Sequence, residues 1–287
     1  MTDYLNRPID FARDAAQMAA QMAAQIAAVF DELPLWAAPF GQLLFDHLEL
    51  RPNLAILDIG CATGFPLFPL ANMHGDSCRL YGLDPWWAAL ERAEQKRAGY
   101  GLSNVLLICG DGLRLPFADE SLDLVVGNLL INNVDDPVAL LGECRRVLKP
   151  GGRLALTTNL KGHMREFYAV YRDVLQAMNL PLAVERLDHH EDHRGTAELV
   201  RALLDEAGFT AVRVIEAQFT MRYLNARAFF THWLTRLGFL ESWRAIVQSE
   251  DEIAVFSALE AELNALAAAQ GELRMTIPML YIEATRS

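Results

Sequence analysis

The chain has 287 residues, 52% of them hydrophobic, a positive mean hydropathy and a net charge of −12. That is enough apolar material for one full α/β core with a modest elaboration, and so acidic a balance argues against a protein that lives by gripping nucleic-acid phosphates. Cys61, Cys78, Cys109 and Cys144 include no C-x-x-C pair, which points away from a zinc site or a disulfide framework; no apolar run reaches the ~20 residues of a membrane span, so the expectation is a soluble, cytoplasmic protein.

Residues 1 to 50 read as a helical N-terminal cap. Ala15-Ala16-Gln17-Met18, Ala19-Ala20-Gln21-Met22 and Ala23-Ala24-Gln25-Ile26 repeat every four residues in strong helix formers. Met18, Met22, Ile26 and Val29 then make one slanting apolar stripe. Its plain reading is a helix packed on the domain. The sharper one is a lid over a substrate or a dimer contact, which leaves a homo-oligomer open. Pro34 and Pro39 are expected to break this region before a second helix, Gly41 to Leu50.

The stretch Ala55 to Gly64 organises the rest of the chain. A short apolar run ends in Asp58, Gly60 and Gly64, and a helix-compatible segment, Phe65 to Met73, succeeds it. This is a strand, a tight turn and a helix start. Glycine permits φ above zero and the close approach of a ligand, and a helix beginning near Gly64 would add unpaired N–H groups to the same crevice. Asp58 can accept hydrogen bonds from loop amides or from a ligand's ammonium group. A dinucleotide fingerprint requires G-x-G-x-x-G; here the spacing is Asp58-x-Gly60-x-x-x-Gly64, so a nicotinamide oxidoreductase is the weaker reading.

A second strand, Cys78 to Leu83, ends in Asp84, 20 residues beyond Gly64, as one strand-helix-strand unit allows. Adjacent parallel strands share a crevice at their carboxyl ends. Asp84 is therefore expected beside the Gly60 loop, able to take bonds from both hydroxyls of a ribose, unless it serves as a helix cap. Of Trp86 and Trp87, one is expected to pack on the sheet and the other to border the crevice. A third strand, Asn104 to Cys109, runs into Gly110-Asp111-Gly112-Leu113, where glycines admit a flat ring and Asp111 can accept from an exocyclic amine. A fourth strand ending near Val126 leads to Gly127-Asn128-Leu129-Leu130-Ile131-Asn132-Asn133. The helix Pro137 to Leu148 stops at Lys149-Pro150-Gly151-Gly152 before a fifth strand, Arg153 to Thr158.

Taken together, Ile56 to Gly64, Leu83-Asp84, Gly110-Asp111-Gly112, Leu115-Pro116-Phe117 to Val126, and Leu148-Lys149-Pro150-Gly151-Gly152 resemble the ordered motifs of class I S-adenosylmethionine-dependent methyltransferases. The similarity is to the small-molecule branch that includes the ubiquinone and menaquinone methyltransferases. It covers residues 40 to 160, and more loosely Thr196 to Val214. The resemblance implies an α/β fold, a Rossmann-like doubly wound seven-stranded sheet, mostly parallel with the last strand antiparallel, between helical N- and C-terminal caps. It implies S-adenosyl-L-methionine as cofactor, with Asp58, Gly60, Cys61, Ala62 and Gly64 around the methionine part, and Asp84 and Pro85 at the ribose. Asp111, Gly112 and Leu113 would hold the adenine, and Asn128 would lie under the ligand.

Beyond the fifth strand, Lys161 to Leu180 read as a helix carrying His163, Tyr168 and Tyr171. His163 and Asn132 are the candidates for facing a substrate. In Asp188-His189-His190-Glu191-Asp192-His193, His189 and His193 would share a helix face, but no partner motif completes a ligand set, so the run reads as a polar loop and no metal is expected. Ala211 to Tyr223 supplies a sixth strand, Asn225 to Gln270 a helical insertion, and Leu273 to Glu283 a final strand that the family places between the fifth and sixth. The expected domains are residues 1–50 (cap), 51–223 (core), 224–271 (insertion) and 272–287 (final strand). Methyl transfer from a sulfonium needs placement and exclusion of water more than an acid or base. The lack of Asn-Pro-Pro-Tyr or Asp-Pro-Pro-Tyr after the fourth strand counts against amino-DNA-type methylation, and the lack of a usable cysteine set against an arsenite-type thiol mechanism. The apolar helical caps at both ends motivate the expected substrate, a small, partly apolar molecule methylated at O, C or N. A non-catalytic module that only binds the cofactor would carry the same motifs.

Overall fold

The computed structural model describes residues 26–28, 30, 34–192 and 194–286. The strands are β1 (Ala55–Ile59), β2 (Arg79–Asp84), β3 (Val105–Cys109), β4 (Leu122–Asn128), β5 (Leu148–Asn159), β6 (Phe209–Tyr223) and β7 (Leu273–Arg286). They form one seven-stranded sheet in the order β3-β2-β1-β4-β5-β7-β6. β1 pairs in parallel with β2 and β4, β2 with β3, and β4 with β5, whereas β7 runs antiparallel along β5 from Arg153 opposite Thr285 to Asn159 opposite Met279. The reversal of strand order beside β1 opens a crevice at the carboxyl ends of β1, β2 and β4. The continuous apolar runs of β1 and β4 follow from burial on both faces: Ile56, Leu57, Val125 and Val126 are fully enclosed.

Two compact units divide the chain. The sheet unit takes the described residues up to Asn159, then Gly195–Ala217 and the chain from Met279. Its helices are α1 (Pro34–His47), α2 (Leu67–His74), α3 (Trp87–Tyr100), α4 (Pro137–Val147) and, after two helices of the other unit, α7 (Ala197–Glu206). α1 packs on β4 and β5, α2 on β2, α3 on β3, and α4 on β5 and α7. Asp136 caps α4 by accepting from the Ala139 N–H, and Thr196 caps α7 through the Leu199 N–H. Against expectation, Pro34 and Pro39 do not precede a helix at Gly41: they lie inside one helix, α1. Pro39 removes the bond to Leu35, so the interruption falls in the first turns, where few intrahelical bonds are lost. The Lys149 to Gly152 stop appears as a bulge, with Leu122 opposite Leu148 but Leu124 opposite Arg153.

The helical unit comprises Leu160–Arg194 and Gln218–Pro278. It holds α5 (Arg165–Ala177), α6 (Pro181–Glu191), α8 (Ala226–Thr231), α9 (Trp233–Gly238), α10 (Leu240–Arg244) and α11 (Glu252–Gln270). The expected helix from Lys161 to Leu180 is shorter, because Met164, at a φ of 50°, and the Asn179-Leu180-Pro181 turn bound it. The expected polar loop at Asp188 to Glu191 is the last turn of α6, which Arg172 of α5 ties down through Asp188 and Glu191; His193 lies outside the described residues. Phe167, Phe229, Phe230, Trp243 and Phe256 are buried together, with the Phe167 and Trp243 rings 4.2 Å apart. Residues 26–28 and 30 are helical; the rest of the four-residue repeat, including Met18, Met22 and Val29, lies outside the described residues. Among the described residues no helix is long and apolar enough to cross a membrane.

Candidate functional site

The carboxyl end of β1 builds a tight, strained loop. Gly60, at a φ of 75°, donates its N–H to the Leu83 carbonyl at 2.8 Å, and Ala62, at 42°, donates to Asp84 Oδ2 at 2.9 Å. Gly64 sits at 103°, where a Cβ would also meet the Phe68 ring at 2.0 Å. Glycine is thus required at Gly64 for packing as well as for φ. At Gly60 a Cβ would touch only a Leu130 methyl at 3.4 Å, so the space beside that backbone is open. α2 begins at Leu67, three residues later than the motif suggests, with the Phe68 N–H bonded to the Gly64 carbonyl at 2.9 Å.

Asp58, the penultimate residue of β1, is completely enclosed, and neither carboxylate oxygen has a hydrogen-bond partner among the described residues. Burial first, then the neighbouring Asp84 charge, pushes its carboxyl well above the usual range. The Leu67 N–H opposes this in direction without completing a hydrogen bond. Buried carboxyl groups are ordinarily paired or hydrogen-bonded, and among the described residues this one is neither. Asp84, also buried, is by contrast tied into the loops: Oδ2 accepts from Ala62 and Oδ1 from the Trp86 N–H at 2.8 Å. Each oxygen keeps a second lone pair. Pro85, exposed between Asp84 and Trp86, directs the chain into α3.

At the end of β3, exposed Asp111 accepts from the Leu113 N–H through Oδ1 at 2.9 Å, leaving Oδ2 without a partner among the described residues. The glycines around it serve the protein's own packing. A Cβ at Gly112 would meet Leu140 at 2.9 Å and Ile59 at 3.3 Å, and one at Gly110 would meet Leu83 at 3.2 Å. Asn128 closes β4: its Oδ1 accepts from Thr157 Oγ1 at 2.6 Å and its Nδ2 donates to the Ala37 carbonyl at 3.3 Å. Asn132 donates to both the carbonyl (2.8 Å) and the side-chain oxygen (3.0 Å) of Asn159 at the end of β5. Cys61 is buried, with its thiol pushed far up by burial and by the charges of Asp58 and Asp84.

A family model described as a methyltransferase domain matches residues 57–156. Over 178 residues the chain is 34% identical to the demethylmenaquinone methyltransferase of Geobacillus kaustophilus, an alignment covering 58% of this chain and 76% of that one. The chain belongs to the class I S-adenosylmethionine-dependent methyltransferases. A longer match, 27% identical over 256 residues and covering 85% of this chain and 89% of the other, is to the nocamycin O-methyltransferase of Saccharothrix syringae. The crystal structure of the YcgJ protein of Bacillus subtilis superposes with a TM-score of 0.57 at 17% identity, covering 87% of this chain and 98% of that one, which supports the fold.

Asp58, Gly60, Cys61, Ala62, Gly64, Asp84, Pro85, Asp111, Gly112, Leu113, Asn128 and Asn132 of the methyltransferase all belong to the sheet unit, Asp58, Asp84 and Asn128 at the carboxyl ends of β1, β2 and β4 and the others on the loops that follow β1 to β4. His163 belongs to the helical unit. It is buried, with Nε2 3.5 Å from Tyr168 Oη, which also lies 3.2 Å from His190 Nε2 and accepts from Trp243 Nε1 at 3.1 Å. Burial first, then the charges of Arg194 and His190, pushes the imidazole down to about 3. A base that weak is poorly matched to proton abstraction near neutral pH. Neither tryptophan is enclosed as expected: Trp86 is half-buried, edge-on to Phe30 at 5.5 Å, and Trp87 is 62% exposed. Asn159 escaped the sequence reading altogether. Its one signal was polar character, Thr157-Thr158-Asn159, at the end of an otherwise apolar strand.

Proposed function

We propose that this methyltransferase holds S-adenosylmethionine along the loops after β1 to β4 and transfers the methyl to a small, partly apolar molecule at O, C or N. The observation that carries the assignment of the site is the enclosed, partnerless carboxylate of Asp58 beside the open backbone at Gly60. An ammonium group is what that carboxylate lacks, so the residues present fit the amino-acid part of the cofactor. Asp84 has lone pairs left for two ribose hydroxyls, and its grip on the Ala62 amide keeps the loop in register with β2. Pro85, Asp111 Oδ2, Gly112 and Leu113 would border the adenine, with Asp111 taking its exocyclic amine. Cys61, Gly64 and Asn128 act by shape: each is engaged in packing or bonds that fix the walls of the crevice.

Bound S-adenosylmethionine supplies an electrophilic methyl on a positively charged sulfur. The chain's part is to place an acceptor in line with that methyl and to exclude water. The names of the two relatives, one a demethylmenaquinone and one a nocamycin O-methyltransferase, support a small, partly apolar acceptor. The test is S-adenosylhomocysteine release with a panel of hydroquinones, phenols, enols and amines. Turnover with at least one apolar acceptor that Asp58→Asn lowers about 10- to 100-fold at limiting cofactor is the expected result. Cofactor binding without turnover on any of them would defeat the substrate assignment.

A further inference from the structure

β5 remains buried to its last residue, yet its last three residues are polar: Thr157, Thr158 and Asn159 are at most 4% exposed. Thr157 donates to Asn128, and the Thr158 hydroxyl approaches the Asn159 carbonyl at 3.4 Å. The Asn159 side chain is clamped on one side only. Its Oδ1 and its carbonyl both accept from Asn132 Nδ2, whereas its own Nδ2 is enclosed with no acceptor among the described residues. Exchanging oxygen and nitrogen in this amide would set two N–H groups against each other, so the Asn132 bond decides its orientation. A buried donor left without a partner is destabilising. Asn159 lies at the carboxyl end of its strand, the edge on which sheets of this topology take their ligands.

We infer that the Asn159 amide is the hydrogen-bond donor for an anionic oxygen of the methyl acceptor, which makes that acceptor an ionised phenol or enol rather than an amine. The inference rests on the function proposed above and narrows it. A primary amide N–H strengthens its bond as an oxygen gains charge, and an anionic oxygen has lone pairs for both that bond and the attack, whereas a neutral amine has one lone pair and would have to spend it on the N–H. Transfer then occurs at that oxygen or at the ring carbon it activates. The acceptor's electron pair forms the bond to the methyl carbon, the pair of the broken carbon–sulfur bond stays on sulfur, and the acceptor's proton passes to water.

The test uses 4-nitrophenol, whose ionised form absorbs visible light, with the full chain saturated by S-adenosylhomocysteine. Wild-type protein is expected to raise the ionisation constant of the bound phenol at least about tenfold, the effect of one hydrogen bond to a charged group. Asn159→Asp and Asn159→Leu should lose that rise while keeping their affinity for S-adenosylhomocysteine. In wild-type protein labelled with 15N, the Asn159 side-chain amide proton should move downfield on adding the phenol, a readout that needs no variant to fold. An equal rise in all three proteins, an unmoved amide signal, or preferential binding of 4-nitroaniline overturns the inference. Failure of wild-type protein to bind S-adenosylhomocysteine overturns the broader functional reading instead, so the two failures are distinguishable.

Discussion

Replacing Asp58 with asparagine should make the empty protein more stable and the cofactor complex weaker. The side chain is fully enclosed, keeps nearly the same shape as asparagine, and has neither oxygen bonded. Removing its charge relieves a desolvated, unpaired anion beside Asp84, a relief of about 1–3 kcal/mol, or roughly 2–10 °C in Tm for a chain of this size. The sign with pH follows from linkage. A carboxyl raised in the folded state imposes no penalty below the unfolded value of about 4, and an increasing one as pH rises from there to the raised folded value. The advantage of Asp58→Asn is therefore expected at pH 7.5 and should vanish near pH 3.5. Losing the contact to an ammonium group should weaken S-adenosylhomocysteine about 10- to 100-fold. At saturating ligand that 10- to 100-fold loss of affinity takes about 1.4–2.7 kcal/mol off the advantage of the variant, so the gap closes or reverses. Differential scanning calorimetry with and without ligand at both pH values reads all of this. An Asp58→Asn protein that is less stable when empty, or that keeps wild-type affinity, refutes the reasoning.

Three other outcomes follow from particular contacts. Gly64→Ala places a Cβ 2.0 Å from the Phe68 ring at a φ of 103°; urea unfolding should show a loss of about 1–3 kcal/mol, and an unchanged midpoint would contradict the packing described. His163, ordinarily near 6.5 and here pushed down to about 3, contributes stability that is complete above pH 6.5 and falls, at about 1 kcal/mol per pH unit, as pH drops toward 3. His163→Gln should therefore flatten the acid limb of the stability profile, and an unaltered limb would place the imidazole in solvent. Arg153 Nη1 holds Glu283 Oε1 at 2.6 Å, and Glu283 is 1% exposed. Arg153→Met leaves that carboxylate, among the described residues, with only the Tyr281 hydroxyl at 3.2 Å and should cost about 3–5 kcal/mol by chemical denaturation; a loss below about 1 kcal/mol would mean that water reaches Glu283.

The sheet was legible because its signals are local. Apolar runs of strand length ending in Asp58, Asp84 and Cys109-Gly110-Asp111 each announce a strand and its turn, and the order of those turns matches one family. The partners of each turn residue were not legible, because they come from elsewhere in the chain. Nothing in Gly112 alone tells that Leu140 and Ile59 fill the space above it, so a glycine kept for internal packing reads the same as one kept for a ligand. Asp84 likewise reads equally well as a ribose ligand or a helix cap, and only the structure shows that both its oxygens hold amides of adjoining loops. Pro39 was misread because proline breaks helices only where a carbonyl four residues back needs its N–H, and that depends on where the helix starts. The Asp188 to Glu191 run looked like a loop from composition, whereas Arg172, 16 and 19 residues away, satisfies its charges on a helix. The grouping of α5 and α6 with the helices after β6 rests on aromatic contacts such as Phe167 to Trp243, 76 residues apart in sequence, which no periodicity encodes.

Calorimetric titration with S-adenosylmethionine, comparing wild-type protein with Asp84→Ala and Gly60→Arg, tests the central claim most directly. The site at the ends of β1 to β4 predicts saturable one-to-one binding to the wild type, a loss of at least about tenfold in affinity for Asp84→Ala, and none detectable for Gly60→Arg, whose side chain would occupy the open space at a φ of 75°. Binding that survives in both variants would contradict it.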